Sequence, residues 1–521
     1  MTDWSFGLIF ASLGGAVDPD RPALIHDGAV TTWRDFDRRT DALAAAFLAA
    51  APPGAKVSHL MRNSPAYLET TVAAFKARMV HVNVNYRYTG PELHYILDNS
   101  DAAILVFEAE FADLVASLDL PGVALFAQVG GEPALFAKAF DDLATASATP
   151  PPQEHRGDDM LFIYTGGTTG MPKGVMWDQS ALWAVGGGGS PAQGLPGPAT
   201  LGDLLDLIRN GVGRRSLILP PLMHGSGFLV AVYTLAQGGT VVTLPGHGFD
   251  AHAALATCAE HACDYAVIVG DAFARPLLRA LDEGASGGLA TLRTMISSGT
   301  MWSPEVKAGL LAHNPDMMLV DALASSEGLG VGASIQTAAN AGAATRFLRD
   351  ENTVVLDEDM RPVVPGSGTM GRVARAGLLP RGYYKDDAKS AATFVEVDGR
   401  RFAMAGDWAT IDADGMLVLL GRGSQCINTG GEKVFPEEVE EALKTHASVD
   451  DALVFGVPDE RWGQAVTAIV EGNAPDAHEL IAHLRASLAA YKTPKRIVVV
   501  EKVPRAPNGK ADYTRAREYA A

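Results

Sequence analysis

The stretch YTGGTTGMPKG, residues 164–174, gathers glycines, threonines and a lysine in a way that could hold a phosphate. Glycine permits close backbone approach, and consecutive exposed N–H groups beside hydroxyls form an anion-binding nest. The P-loop spacing G-x-x-x-x-G-K-[ST] is not met: counting from Gly166 puts Met171 at the second glycine, and Lys173 lies between Pro172 and Gly174. A Gly/Thr-rich surface linker would read the same way, so the assignment turns on what else the chain carries. Other residues able to do chemistry sit in short segments: His224 in PPLMHGSG (220–227), Ser326 and Glu327 in DALASSEG (321–328), Asp407 in AGDW (405–408), Arg422 in LLGRGS (419–424) and Lys510 in PRAPNGK (504–510). Singly each is ordinary: a histidine beside an apolar run is commonly a core residue, and an acid with an arginine is commonly a surface pair.

Holding such residues in place requires rigid elements, and the chain supplies an alternating pattern. Residues 160–164 read as a strand running into the Gly/Thr turn. AAILVFE (102–108), SLILP (216–220), TVVTL (240–244), YAVIVG (265–270) and MMLVDAL (317–323) are apolar runs between helical patterns such as 41–50, as parallel strands covered on both faces would be. After about residue 420 the texture changes. GRGSQCINTGGEK is loop-like, and FPEEVEEALKTH opens with a proline and acids suited to a helix start. ALVFGVP (452–458), VTAIVEG (466–472) and RIVVVEKVP (496–504) predict strands around a second helix, 477–489. The expected class is α/β, with a large multi-layer N-terminal domain of parallel-type sheets over 1–422 and a small, mobile α+β domain over 423–521.

Composition narrows the partners. The 521 residues exceed the ~250–300 at which a single core stops growing. Excess acid, 61 Asp and Glu against 42 Lys and Arg for a net charge of −19, argues against a nucleic-acid-binding face. Cys258, Cys263 and Cys426 build neither a disulfide framework nor a paired zinc site, which points to a reducing, cytoplasmic compartment. The N-terminus carries no basic n-region of a signal peptide. Two uncharged runs, 179–202 and 216–249, are broken by Gly and Pro; they read as a loop and as buried strands rather than membrane spans. GASGG (284–288) fits G-x-S-x-G but follows a helical stretch and precedes a strand, the reverse of a hydrolase elbow.

Taken in chain order, YTGGTTGMPKG, PPLMHGSG, SSGTMW (297–302), DALASSEG, AGDW, LLGRGSQCINTGGEKVFPEEVEEAL (419–443) and PRAPNGK resemble the signatures of the adenylate-forming superfamily of acyl-CoA synthetases, peptide-synthetase adenylation domains and luciferases. NSPAYLE (63–69) and VNVNYRY (82–88) resemble its bacterial fatty-acyl-CoA synthetase branch, so the resemblance spans nearly the whole chain. It implies a two-step reaction in which a carboxylate attacks the α-phosphate of ATP to give acyl-AMP and pyrophosphate, and the thiol of CoA then displaces AMP. It implies Ser326 on the α-phosphate and Glu327 on Mg²⁺, a hard cation served by one or two carboxylates and phosphate oxygens. Thr165, Gly166, Gly167, Thr168, Thr169, Gly170 and Lys173 would meet the β- and γ-phosphates. Gly299, Thr300 and Met301 would line adenine and acyl group, with Asp321, Ala322 and Leu323 bordering the nucleotide. Asp407 would accept the ribose hydroxyls beside Arg422, His224 would gate the acyl pocket, and Gly430 and Gly431 would flank the pantetheine tunnel. Lys510 would be the mobile catalytic lysine, brought by the C-terminal domain to the carboxylate and α-phosphate.

The implied molecular partners are therefore ATP, Mg²⁺, coenzyme A and a small carboxylic acid, with room for a homodimer and none for nucleic acid or an integral membrane segment. Three positions depart from the pattern: Gly166 stands for a serine, Leu323 for an aromatic residue that stacks on adenine, and Ser424 for a hinge Asp or Lys. The apolar, Gly-rich stretches 181–198 and 220–227, without a cation for a second carboxylate, suit an apolar acid of medium, long, aromatic or steroidal kind. Free CoA is favoured over a carrier protein as acceptor, ahead of luciferase-like oxidation; a purely binding role fits poorly with the retained Glu327, Asp407 and Lys510.

Overall fold

The computed structural model describes residues 4–88, 90–167, 170–187, 197–211, 213–285, 288–300, 302–429, 432–459, 463–488, 490–506 and 509–520. Thr168, Thr169, Met301, Gly430 and Gly431 lie outside the described residues, as do the side chains of Arg422 and Ser424.

Two eight-stranded sheets dominate. In one, strands Thr294–Ser298, Tyr265–Ile268, Arg215–Ile218, Thr240–Thr243 and Pro22–His26 run parallel to one another, with Ala29–Thr32 antiparallel at the edge. At its end Met318–Ser325 continues the parallel run and then folds back as Gly328–Gln336. In the other, Val80–Asn83, Lys56–Leu60, Ala102–Glu108 and Leu125–Val129 are parallel, and Met160–Gly167 joins them before turning back antiparallel as Gly170–Asp178. Apolar side chains of both sheets share one core cluster with helices Trp33–Ala50, Pro65–Lys76 and Gly225–Ala236. A six-stranded antiparallel sheet follows, and then a five-stranded sheet built from residues after 426. That last sheet is covered on both faces, because alternation along Asp451–Asp459 sends Ala452 and Val454 into one cluster and Leu453 and Phe455 into the other.

Three sequence expectations change. Helix 41–50 is the second half of Trp33–Ala50, which Thr32 caps by accepting from Asp35 N. Run 179–202 holds helix Gln179–Gly186 and the start of Leu201–Arg209 as well as irregular chain. Run 216–249 holds helix Gly225–Ala236 between its strands. That helix buries residues all round its axis, so it shows no polar face and its pattern cannot be told from a buried strand. Among the described residues no helix is long and apolar enough to cross a membrane.

Candidate active site

Two hairpins, one from each large sheet, meet at the site. The first pairs Met160–Gly167 with Gly170–Asp178, setting Thr165 opposite Lys173 and Gly167 opposite Gly170; an irregularity at Gly166 lies just below its tip. YTGGTTGMPKG is thus the end of a β-hairpin: the expected strand leads into the Gly/Thr segment and the chain returns as a second strand. Its base is fixed by Tyr164, whose hydroxyl donates to Asn99 Oδ1 at 2.7 Å. A Cβ on Gly174 would come within 2.6 Å of the Tyr164 ring, so that glycine is what lets the ring lie across the partner strand. The second hairpin turns at Ser326 and Glu327, between strands Met318–Ser325 and Gly328–Gln336. The two are tied together: Trp177 Nε1 donates to the Ser326 carbonyl at 2.8 Å.

A strap from the chain beyond both hairpins sets their charges. Gly382–Tyr383 pairs with the outer edge of Gly170–Asp178. From it the Tyr383 hydroxyl donates to Glu327 Oε1 at 2.7 Å, and Asp386 Oδ2 accepts from Lys173 Nζ at 2.5 Å. Lys173 is therefore half-compensated, and its hydrogen bond holds the Asp386 carboxyl below the usual range. Burial, followed by the Glu327 charge, pushes the Tyr383 hydroxyl pKa up, keeping it a donor.

On the opposite side the C-terminal domain enters. Gly299, φ +99°, follows strand Thr294–Ser298, and a Cβ there would lie 3.9 Å from Lys510 Cε. Gly509, φ +78°, is seated so tightly that a Cβ would come within 2.7 Å of Ala272 Cβ. The lysine loop is closed by Ala506 N to Lys510 O at 2.7 Å and Gly509 N to Ala506 O at 2.8 Å. Arg505 anchors it, donating to both Asp451 oxygens at 2.5 and 2.6 Å and to the Gly509 carbonyl at 3.3 Å.

His224 sits at the start of helix Gly225–Ala236. Burial, then the charges of Lys510 and Arg87, push its pKa down to about 3, so it is neutral; Nε2 is sealed from solvent without a partner among the described residues. Asp407 stands opposite Arg422 in the register of strands Asp407–Ile411 and Leu417–Arg422. Asp321 is buried, and its carboxylate accepts from Lys307 Nζ at 3.1 Å; Thr345 takes a second bond from the same ammonium. Burial raises the Asp321 pKa to about 6 against the pull of Lys307. Leu323 is half-buried against the cluster of Val331, Phe347 and Val373, while Ala322 pairs with Ser298 beside Gly299 and the half-buried Thr300.

Sequence reasoning missed the residues that hold these parts together. Asn83 is buried; its Oδ1 accepts from Tyr164 N at 2.7 Å, and its Nδ2 donates to the Tyr164 and Met223 carbonyls at 2.9 and 2.7 Å. Asn63 donates to Pro220 O at 3.0 Å and accepts from Leu222 N at 2.7 Å. Both asparagines fix the His224 segment, and Asn83 fixes the Gly/Thr hairpin as well. Both lay in segments quoted above only for resemblance; for Asn83 a polar side chain inside an apolar strand was the available signal.

Residues 14–384 match the AMP-binding enzyme family and residues 438–510 its C-terminal domain. The chain belongs to the AMP-binding enzyme family, in its acyl-CoA ligase branch. It is 40% identical to a 3-oxocholest-4-en-26-oate–CoA ligase of Rhodococcus rhodochrous, over 96% of this chain and 93% of that one. It is 39% identical to the medium-chain acyl-CoA ligase Mig of Mycobacterium avium, over 97% and 96%. In fold it superposes on an anthranilate CoA ligase in complex with anthranoyl-AMP with a TM-score of 0.84, at 21% identity and covering 99% and 97% of the two chains.

Proposed function

We propose that this AMP-forming acid–thiol ligase activates a bulky apolar carboxylic acid, of medium or long chain or of steroid size, and transfers it to CoA. The observation that carries the reading is Lys510, delivered by the C-terminal domain against Gly299 at the head of the site. The relatives act on medium-chain acyl groups and on a steroid acid by name, and a neutral His224 beside an apolar helix suits an acyl chain better than a second carboxylate.

In the first half-reaction a carboxylate oxygen attacks the α-phosphorus and pyrophosphate leaves. Lys510 and Ser326 would meet the charge that develops there, where a desolvated cation is worth roughly 10²- to 10³-fold. The hairpin N–H groups and Thr165 would cradle the departing pyrophosphate, with Lys173 held beside them by Asp386. Asp407 would take the ribose hydroxyls. Glu327 fits Mg²⁺: one oxygen accepts from Tyr383, the other engages no described residue, and a lone carboxylate plus phosphate oxygens is that cation's habit. Mg²⁺ there would neutralise phosphate charge. In the second half-reaction the CoA thiol attacks the acyl carbon and AMP leaves. We take 1–422 as the ATP- and acyl-binding domain and 423–521 as the mobile one; Gly421 and Gly423, flanking Arg422 with no room for a Cβ, suit a hinge.

The test is acid-dependent ATP–pyrophosphate exchange across short, medium, long, aromatic and steroidal carboxylates, then thioester formation with CoA or a phosphopantetheinyl carrier. Medium, long or steroidal acids with CoA should win; preference for a short acid or for the carrier overturns the assignment.

A further inference from the structure

Helix Asp271–Asp282 meets the C-terminal domain at two levels of one face, through Asp271 and through Arg279. Asp271 lies at its first turn, with Arg275 and Arg279 at four-residue spacing along one stripe. The Asp271 carboxylate accepts from Ser303 N at 2.9 Å, Ser303 Oγ at 2.5 Å, Arg275 Nε at 3.1 Å and, across the domain boundary, Lys444 Nζ at 3.4 Å. Lys444 ends helix Pro436–Lys444, and Glu441 one turn earlier pairs with it and lies 3.1 Å from Ser303 Oγ. Both charged side chains of the cross-domain pair are about nine-tenths or more hidden from solvent, Lys444 at 4% and Asp271 at 10% exposed. Further along, Arg279 meets Asp450 at 2.9 Å on the exposed rim.

The same helix start receives the lysine loop. Ala272, the neighbour of Asp271, packs under Gly509, and Val269 lies under both Gly509 and Gly299. On the other domain, Asp450 reaches Arg279 while the adjacent Asp451 holds Arg505, the anchor of the Lys510 loop. One helix end therefore reads the C-terminal domain twice, once through Lys444 and once through Gly509.

The geometry points to Lys444 and Asp271 as positioning residues for Lys510: we propose that their buried pair latches the C-terminal domain in the orientation that supports adenylation, and must part before the thiol step. A rotated domain would carry Lys444 and the lysine loop away together, since helix Pro436–Lys444 and the five-stranded sheet share one core. A buried pair suits such a latch because it discriminates sharply: in register it is satisfied by several donors, out of register each ion returns to water.

The inference rests on the two-step reading above, and the test separates the two. In the full-length enzyme, Lys444→Met should lower acid-dependent ATP–pyrophosphate exchange by about 10- to 100-fold, a misplacement effect, while leaving conversion of supplied acyl-AMP and CoA to thioester within about 2-fold of wild type. Lys444→Arg should restore most of the exchange, and adding Asp271→Asn to Lys444→Met should cost no more, since the cross-domain bond is already gone. Equal loss in both half-reactions, or none in either, overturns the latch. A second readout needs no activity: the distance between labels on the two domains should broaden or shift in Lys444→Met, and an unchanged distribution also overturns it. Wild type without exchange for any acid would sink the ligase reading instead, leaving the label distances to judge the latch.

Discussion

Lys173 and Lys510 are the two lysines of the candidate site, one from each domain, and their supports differ in kind. Lys173 sits on the Gly/Thr hairpin opposite Thr165, beside Asp386 and the Tyr383 ring of the strap, so its charge is matched within the N-terminal domain. Lys510 stands on a loop whose anchors are ion pairs, Arg505 with Asp451 inside its own domain and Lys444 with Asp271 across the boundary. A neutral cradle of many weak donors can follow a highly charged group as it departs, whereas a single strong cation must arrive in register and then leave. The first wall is built for tolerance and the second for discrimination.

Removing the discriminating charge should do the most damage. Lys510→Ala is expected to lower acyl-AMP formation by about 10²- to 10³-fold while sparing thioester formation from supplied acyl-AMP; the two half-reactions assayed separately decide it. Gly509→Ala attacks the same wall through the backbone. A side chain at φ +78° costs roughly 1–2 kcal/mol, and its Cβ would strike Ala272, so exchange activity should fall by about 10-fold or more with the global Tm nearly kept.

On the tolerant wall the effects shrink. Tyr383→Phe deletes one hydrogen bond to Glu327 and should raise the KM for ATP by about 3- to 10-fold with kcat little changed. Gly166→Ser restores a hydroxyl near the hairpin tip and should change kcat/KM by no more than about 2-fold, or tighten ATP binding; complete loss of activity would show that the tip is built differently from its relatives.

The two domains also part company in pH. His59 lies buried on strand Lys56–Leu60 of the sheet that carries the hairpin, where burial pushes its pKa down to about 3 from 6.5. The unfolded chain binds that proton and the folded chain refuses it, so stability should fall as pH drops below about 6.5, by about 1.4 kcal/mol per unit for each such histidine. Glu440 of the C-terminal domain goes the other way. Burial, then the nearby Glu437, raises its pKa to about 8, so its contribution is present below about 4.5 and is lost as pH rises through 8. Thermal unfolding across pH 5 to 9 (~4 units) should show His59→Gln flattening the acid limb and Glu440→Gln the alkaline limb; the reverse pairing would contradict both assignments.

Much of this was legible beforehand because it is local. The apolar run 102–108 is the strand Ala102–Glu108, and 265–270 and 317–323 overlap strands Tyr265–Ile268 and Met318–Ser325, since short, largely apolar runs between helical patterns leave few alternatives. Helix Gly225–Ala236 escaped because burial on every side erases the amphipathic stripe. The strand expected over 496–504 ends at Val499, where the chain leaves the sheet ahead of Pro504 and the lysine loop.

The sequence by itself determined the family and the order of its candidate residues, because a Gly/Thr turn, a Ser–Glu pair and a Gly–Lys near the end are written in consecutive letters. Only the tertiary structure decided what holds them: Asn83 joining Tyr164 to Met223, Asp386 matching Lys173, and Asp271 meeting Lys444. Those partners lie up to 213 residues apart, as for Lys173 and Asp386. Their bonds exist because sheets and helices bring distant chain together and strip its water away; no periodicity in the chain records such an encounter.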